Sequence, residues 1–271
     1  AMRIVTLIET TPAAPGCPHE HGLSLYVETG RHSLLMDTGA TGAFAANAAV
    51  LGLDLGRVDT IVLSHGHYDH AGGLRQAAAL APGARIYMQR GAAGEFFHGE
   101  RYIGIDKAIL ELPGLRLLDG DCRLDEELFL FAGITGRRFW PRSNRELSVE
   151  GPGSRVQDDF AHEQCLVVCQ GGRHILLSGC AHNGILNILD RYRALFGAGP
   201  DVVVSGFHMK QAGPYTGAEW QTIEQTARAL QAYRHTQFYT GHCTGRPAQE
   251  RLQQILGDQL RALHSGEELA L

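Results

Sequence analysis

Three histidines and an aspartate stand within six residues in His65-Gly66-His67-Tyr68-Asp69-His70. Imidazole nitrogens and carboxylate oxygens are ligands for divalent metals, and the spacing here divides them into two sets. In an extended backbone residues two apart point the same way, so His65 and His67 can grip one ion. Asp69 and His70, around the turn into a following helix, can grip a second. Gly66, Gly72 and Gly73 let the chain close tightly around ions without a Cβ clash. Two divalent ions about 3.5–4 Å apart share a water, lower its pKa towards neutrality and hold it against a carbonyl or phosphoryl centre, so hydrolysis is the expected chemistry. Asp69 is then the expected catalytic carboxylate, orienting the water and shuttling its proton.

A motif of this kind needs a rigid strand behind it, and the apolar run 60–64 leads straight into His65. Similar runs predict strands at 3–8, 23–28, 33–36, 85–88, 128–131, 164–169, 174–178, 201–205 and 236–240. Amphipathic stretches predict helices at 41–51, 71–80, 184–196, 217–232 and 247–263. Strands come first in hairpin-like pairs and later alternate with helices, as in sheets covered by helices, and a single α/β domain over 1–271 is expected. The segment 89–160 reads as loops and short elements, where substrate contacts often sit. Within it Arg137, Arg138 and Arg142 surround Phe139 and Trp140, a composition suited to an anionic ligand with a flat ring.

Composition sets the bounds. Apolar residues at 44% and charged residues at 20% predict a buried core, not disorder. A net charge of −5 argues against a nucleic-acid partner, which calls for a Lys/Arg excess. No run approaches the ~20 apolar residues of a membrane helix, and the opening Met2-Arg3-Ile4-Val5 lacks the regions of a signal peptide, so a cytoplasmic protein acting on a small molecule, with no membrane partner, is expected. The six cysteines are too scattered for a disulfide framework. Histidine is the unusual residue, at 14.

His-x-His-x-Asp-His after a strand resembles the signature of the metallo-β-lactamase superfamily. Glu20-His21-Gly22-Leu23-Ser24, Asp37-Thr38-Gly39, Ser178-Gly179-Cys180-Ala181-His182-Asn183-Gly184, Gly206-Phe207-His208 and Gly241-His242-Cys243-Thr244-Gly245 are similar to the branch named after a dihydropterin–aminobenzene-phosphate synthase. The resemblance implies a four-layer αββα sandwich with two divalent ions, zinc (Zn2+) first and iron or manganese as alternatives. It implies that His242 is the last histidine of the second metal, and that Cys180 falls where most of the superfamily has a metal-bridging aspartate. A thiolate there either ligates or stands behind the ligands. His182 is implied as the third histidine of the first metal. His162 competes for that role, its other reading being a contact to substrate or a support for the ligands. Asp37 is implied beneath the metal loop, hydrogen-bonded to it. His21 and His208 are implied at the pocket rim, with His208 carried beside Asp69 as a catalytic candidate. Diiron redox members carry glutamate where this chain has His67, which points to hydrolysis, with a small phosphate ester or phosphodiester as the expected substrate. A pterin-pathway transferase and a non-catalytic metal-binding protein are the alternatives.

Overall fold

A strand covered on both faces needs apolar residues all along it, and the principal strands here are buried almost end to end. The computed structural model describes residues 1–12 and 14–271. The first half runs β1 (Arg3–Ile8), β2 (Ser24–Glu28), β3 (Ser33–Met36), α1 (Ala43–Val50), β4 (Thr60–Val62), α2 (Tyr68–Ala71), α3 (Leu74–Leu80), β5 (Arg85–Gln89), β6 (Phe96–His98), β7 (Arg101–Tyr102) and β8 (Leu115–Leu118). The second runs β9 (Cys122–Arg123), β10 (Leu128–Phe131), β11 (Leu147–Glu150), β12 (Arg155–Gln157), β13 (Cys165–Gln170), β14 (Arg173–Leu177), α4 (Ile185–Phe196), β15 (Val202–Val204), α5 (Gly217–Gln231), β16 (Gln237–Thr240), α6 (Arg246–Leu256) and β17 (Leu260–Ala262).

One sheet has the order β1-β2-β3-β4-β5-β8, antiparallel as far as β3 and parallel from there to β8. The other has the order β17-β16-β15-β14-β13-β10-β9, parallel from β17 to β14. Alternation along each strand sorts side chains between two faces. Leu34 and Met36 pack with Leu166, Ile175 and Val204 between the sheets. Leu35 and Ile61 pack outward with Phe44 of α1 and Leu74 of α3. Leu176 and Val203 pack outward with Leu189 of α4, Ile223 of α5 and Leu252 of α6. The result is the four-layer αββα sandwich.

Two expectations need correction. The helix expected over 247–263 stops at Leu256, where Gly257 takes φ +55°, and Leu260–Ala262 instead pairs in parallel with β16. The irregular middle segment also holds a small antiparallel sheet, β12-β11-β6-β7, which forms one wall of the site. Asp37, His65, Cys180, His208 and His242 all follow the carboxyl ends of parallel strands, β3, β4, β14, β15 and β16. Both sheets therefore point their loops at one place, the crevice that open α/β sheets use for ligands.

Candidate metal centre

The loop after β4 can turn so tightly because side chains are missing where other backbone passes. A Cβ on Gly66 would lie 2.2 Å from the carbonyl oxygen of Ala92, and one on Gly72 would lie 1.9 Å from that of Ala40. This chain closure brings one potential ligand atom each from His65, His67 and His182 within 4.8 Å of one another. The Nε2 atoms of all three are buried and lack a hydrogen-bond partner among the described residues. Burial holds all three rings well below the usual imidazole pKa, His67 at about 3, so they are neutral and hold lone pairs for a cation.

Partners behind the rings direct those lone pairs. Asn144 donates from Nδ2 to the His182 carbonyl at 2.7 Å and sets its Oδ1 3.0 Å from His182 Nδ1. The ring also stacks on Phe160, with centroids 4.3 Å apart. Buried Glu163 accepts from the backbone nitrogens of His182 and Asn183 at 2.7 and 3.0 Å. Asp37 accepts from Ser64 N at 2.8 Å and Ser64 Oγ at 2.7 Å, and Ser64 Oγ lies 2.7 Å from His65 Nδ1. The same carboxylate lies 2.7 Å from His70 Nδ1. In His65, His70 and His182 Nδ1 is engaged and Nε2 is left for the centre, the arrangement usual for metal-ligating histidines.

A second donor set adjoins the first. His70 Nε2 lies 3.1 Å from Cys180 Sγ, 3.2 Å from His242 Nε2 and 3.6 Å from Asp69 Oδ2. Asp69 Oδ2 is 3.3 Å from both His242 Nε2 and His21 Nε2. Donors around a tetrahedral zinc at its usual bond lengths stand about 3.3–3.7 Å apart, close to the 3.2–3.6 Å spacings of this second set. Burial opposes charge on His70, but the Asp69 and Asp37 carboxylates outweigh it and raise its pKa to about 9. Burial likewise opposes charge on Asp69, yet His70, His21 and His242 bring it well below the usual carboxylate range. Negative charge is therefore settled on Asp69 in the middle of the set.

Backbone strain is concentrated at the same place. Among the described residues, the non-glycine positions with positive φ are Asp37, Phe139, Phe160, Ala181, His208 and His242, between 47° and 61°. Asp37, Ala181, His208 and His242 belong to the loops that form the centre, Phe160 backs His182 and Phe139 lines an adjoining cavity. Such conformations cost of order 1–3 kcal/mol each and persist where surrounding contacts over-determine them.

His162 is buried beside the His67 ring, with centroids 5.9 Å apart, and forms with His67 and Asp158 a further group of potential ligands. Its Nδ1 accepts from Gly66 N at 3.0 Å and its Nε2 lies 3.0 Å from Asp158 Oδ2, so both nitrogens are engaged in holding the loop. His208 faces His182 with ring centroids 4.2 Å apart, and both its ring nitrogens are buried and unpartnered among the described residues. His21 is half exposed at the rim. Neither Arg137 nor Arg138 lines the cavity over the centre. Arg137 lies over the Trp140 ring and reaches Asn183 Oδ1, and Arg138 pairs with Asp190. The cations that do line the cavity are Arg101 of β7 and Lys210, neither of which has an ion pair among the described residues. Sequence reasoning missed both, and isolated cations carry no spacing signal. It also missed Cys243, which lies beside Cys180 and His208 in a group of potential ligands and adjoins His242 in sequence. That adjacency was the available signal.

The model of the metallo-beta-lactamase superfamily matches residues 18–242, and the chain belongs to that superfamily. It is 26% identical over 268 residues to the 7,8-dihydropterin-6-methyl-4-(beta-D-ribofuranosyl)-aminobenzene-5'-phosphate synthase of Methanocaldococcus jannaschii, covering 92% of this chain and 89% of that protein. An uncharacterized protein of the same organism is 27% identical over 244 residues, covering 87% and 88%. Among solved structures, one described as a metal-dependent hydrolase of the beta-lactamase superfamily superposes with a TM-score of 0.85 at 29% identity, covering 100% of this chain and 99% of that one.

Proposed function

We propose that this protein is a dinuclear metal-dependent hydrolase of a small anionic ester, with phosphate monoesters or diesters as the substrate class. The observation that carries the reading is the pair of adjoining donor sets, His65/His67/His182 and Asp69/His70/His242, beneath a cavity lined by Arg101 and Lys210. Two divalent cations bound there supply Lewis acidity and an acidified water. Arg101 and Lys210 hold the anionic group by charge-assisted hydrogen bonds. Asp69, held ionised among His70, His21 and His242, would help hold the second cation and orient the attacking water, with the His21 ring against its Oδ2 at the rim. His208, with unpartnered ring nitrogens beside His182, is placed to donate to the leaving oxygen. The Phe96 and Phe160 rings pack around His67, His162 and His182 and keep water from the back of the site. Cys180 Sγ among the nitrogens favours zinc over manganese, since thiolates select softer cations.

Metal analysis followed by a panel of phosphomonoesters, phosphodiesters, lactones and thioesters tests this reading. About two ions per chain and turnover confined to the phosphate esters are expected. Activity that saturates with one ion would refute the dinuclear assignment. The likeness to the dihydropterin synthase over nearly the whole chain supports a second reading, a pterin-pathway transferase. Product that forms only with an aromatic-amine co-substrate would select it.

A further inference from the structure

Three neighbouring parallel strands each deliver one sulfur or imidazole donor to the same spot. Cys180 follows β14, His208 follows β15 and Cys243 follows β16, and these strands lie side by side in one sheet. One ligand atom from each residue comes within 4.8 Å of the other two. Cys180 Sγ also lies 3.1 Å from His70 Nε2 in the second donor set, while Cys243 has no part in either set described above.

Contacts within the protein fix this convergence before any ion arrives. Gly206 N donates to the Gly179 carbonyl, Phe207 N to Thr244 Oγ1 and Lys210 N to the Cys243 carbonyl, all at 2.9 Å, so the three loops are tied to one another. A Cβ on Gly206 would lie 2.5 Å from Cys243 Sγ, so the missing side chain is what admits the thiol. His208 holds φ +48°, a strained backbone that those ties sustain.

The donors gathered there are largely unspent. Both ring nitrogens of His208 are buried without a hydrogen-bond partner among the described residues. Both cysteines are buried and free of disulfides, and Cys243 Sγ has only a long contact of 3.7 Å to the Cys180 carbonyl. Two thiols and an imidazole, with no carboxylate in the group, select a soft cation over a hard one. Zinc in a closed site takes four ligands, whereas monovalent copper is satisfied by three.

We propose that Cys180, His208 and Cys243 form a third metal site, for a soft monovalent cation such as Cu+, which shares the Cys180 sulfur with the second donor set. Each thiol gives up its proton to water as its bond to the ion forms. The site needs its donors and no substrate, so it stands whether or not the hydrolase reading does.

Anaerobic titration of the reduced, zinc-loaded protein with Cu+, against a chromophoric copper(I) chelator, tests this, with zinc release followed by metal analysis. About one Cu+ per chain should be taken up with zinc retained, and an ultraviolet thiolate-to-copper absorption should grow in step. Cys243→Ser and His208→Ala should each weaken Cu+ binding roughly tenfold or more and leave zinc content unchanged. Cys169→Ser removes a thiol outside the group and should change neither metal. Should Cys243→Ser fail to fold, His208→Ala, at a partly exposed position, carries the same comparison. Uptake that displaces zinc, uptake that persists undiminished in both variants, or no uptake against the chelator would overturn the site.

Discussion

At the scale of single residues, the centre depends on what stands behind each imidazole as much as on the imidazoles themselves. His182 and His162 come from the same region of sequence logic but occupy different situations, one with a free Nε2 and the other with both nitrogens engaged. His182→Ala should therefore lower bound metal by about one equivalent and lose activity with it. His162→Ala should keep metal stoichiometry and instead cost about 1–3 kcal/mol of stability, because it leaves Gly66 N buried without an acceptor. Metal analysis beside denaturant unfolding separates the two, and metal stripped by His162→Ala but retained by His182→Ala would reverse the assignment. Asn144 offers a sharper test of orientation. Asn144→Ala removes the acceptor that engages His182 Nδ1 without touching a ligand, and should weaken metal affinity roughly 10–100-fold, as losses of such outer partners do. An unchanged affinity in a chelator competition would show that Phe160 stacking alone holds the ring.

At the scale of elements, the ends of the sheets are fastened away from the metal. His32, just before β3, has Nδ1 2.9 Å from Asp59 Oδ1 and Nε2 2.5 Å from Asp125 Oδ2, joining the approach to β4 with the turn between β9 and β10. Burial opposes its charge, but the two carboxylates outweigh it and raise its pKa above the free value. A raised folded pKa means stabilisation that is complete below the unfolded value of about 6.5 and is lost as pH climbs through the folded value. Wild type should thus exceed His32→Ala in stability by roughly 1 kcal/mol near pH 6, with the gap narrowing by pH 9. A gap that stays constant across that range would mean packing, not charge, sets the effect. What could be read beforehand at this scale follows from burial. β1, β4 and β13 are buried on both faces and leave continuous apolar runs, and the metal motif sits in consecutive residues, so both were legible. Both residues of β7 and all three of β12 are exposed, so they carry no apolar signature, and Leu260–Ala262 has one fully buried residue running on from a helical pattern. Arg101 reaches the site only because weakly marked β7 folds over it.

At the scale of the whole molecule, the centre draws on both sheets. His65, His67, Asp69 and His70 follow β4 of one, while His182 and His242 follow β14 and β16 of the other. No helix among the described residues is long and apolar enough to cross a membrane, and the residues that meet between the sheets form one shared core. Cations bound by the folded chain alone must therefore stabilise the two sheets together, by an amount set by mass action. Free metal at about 1,000 times Kd contributes about 4 kcal/mol. For a chain of this size each kcal/mol moves the melting temperature by roughly 2–4 °C, so chelation should lower Tm by roughly 10 °C. The transition should move as one, since neither sheet can lose its inter-sheet face without exposing the other's. His182→Ala should melt close to the chelated wild type and respond less to added zinc. Two separate transitions, of which only one shifts with chelator, would show that the halves unfold independently and that the ligands do not span them.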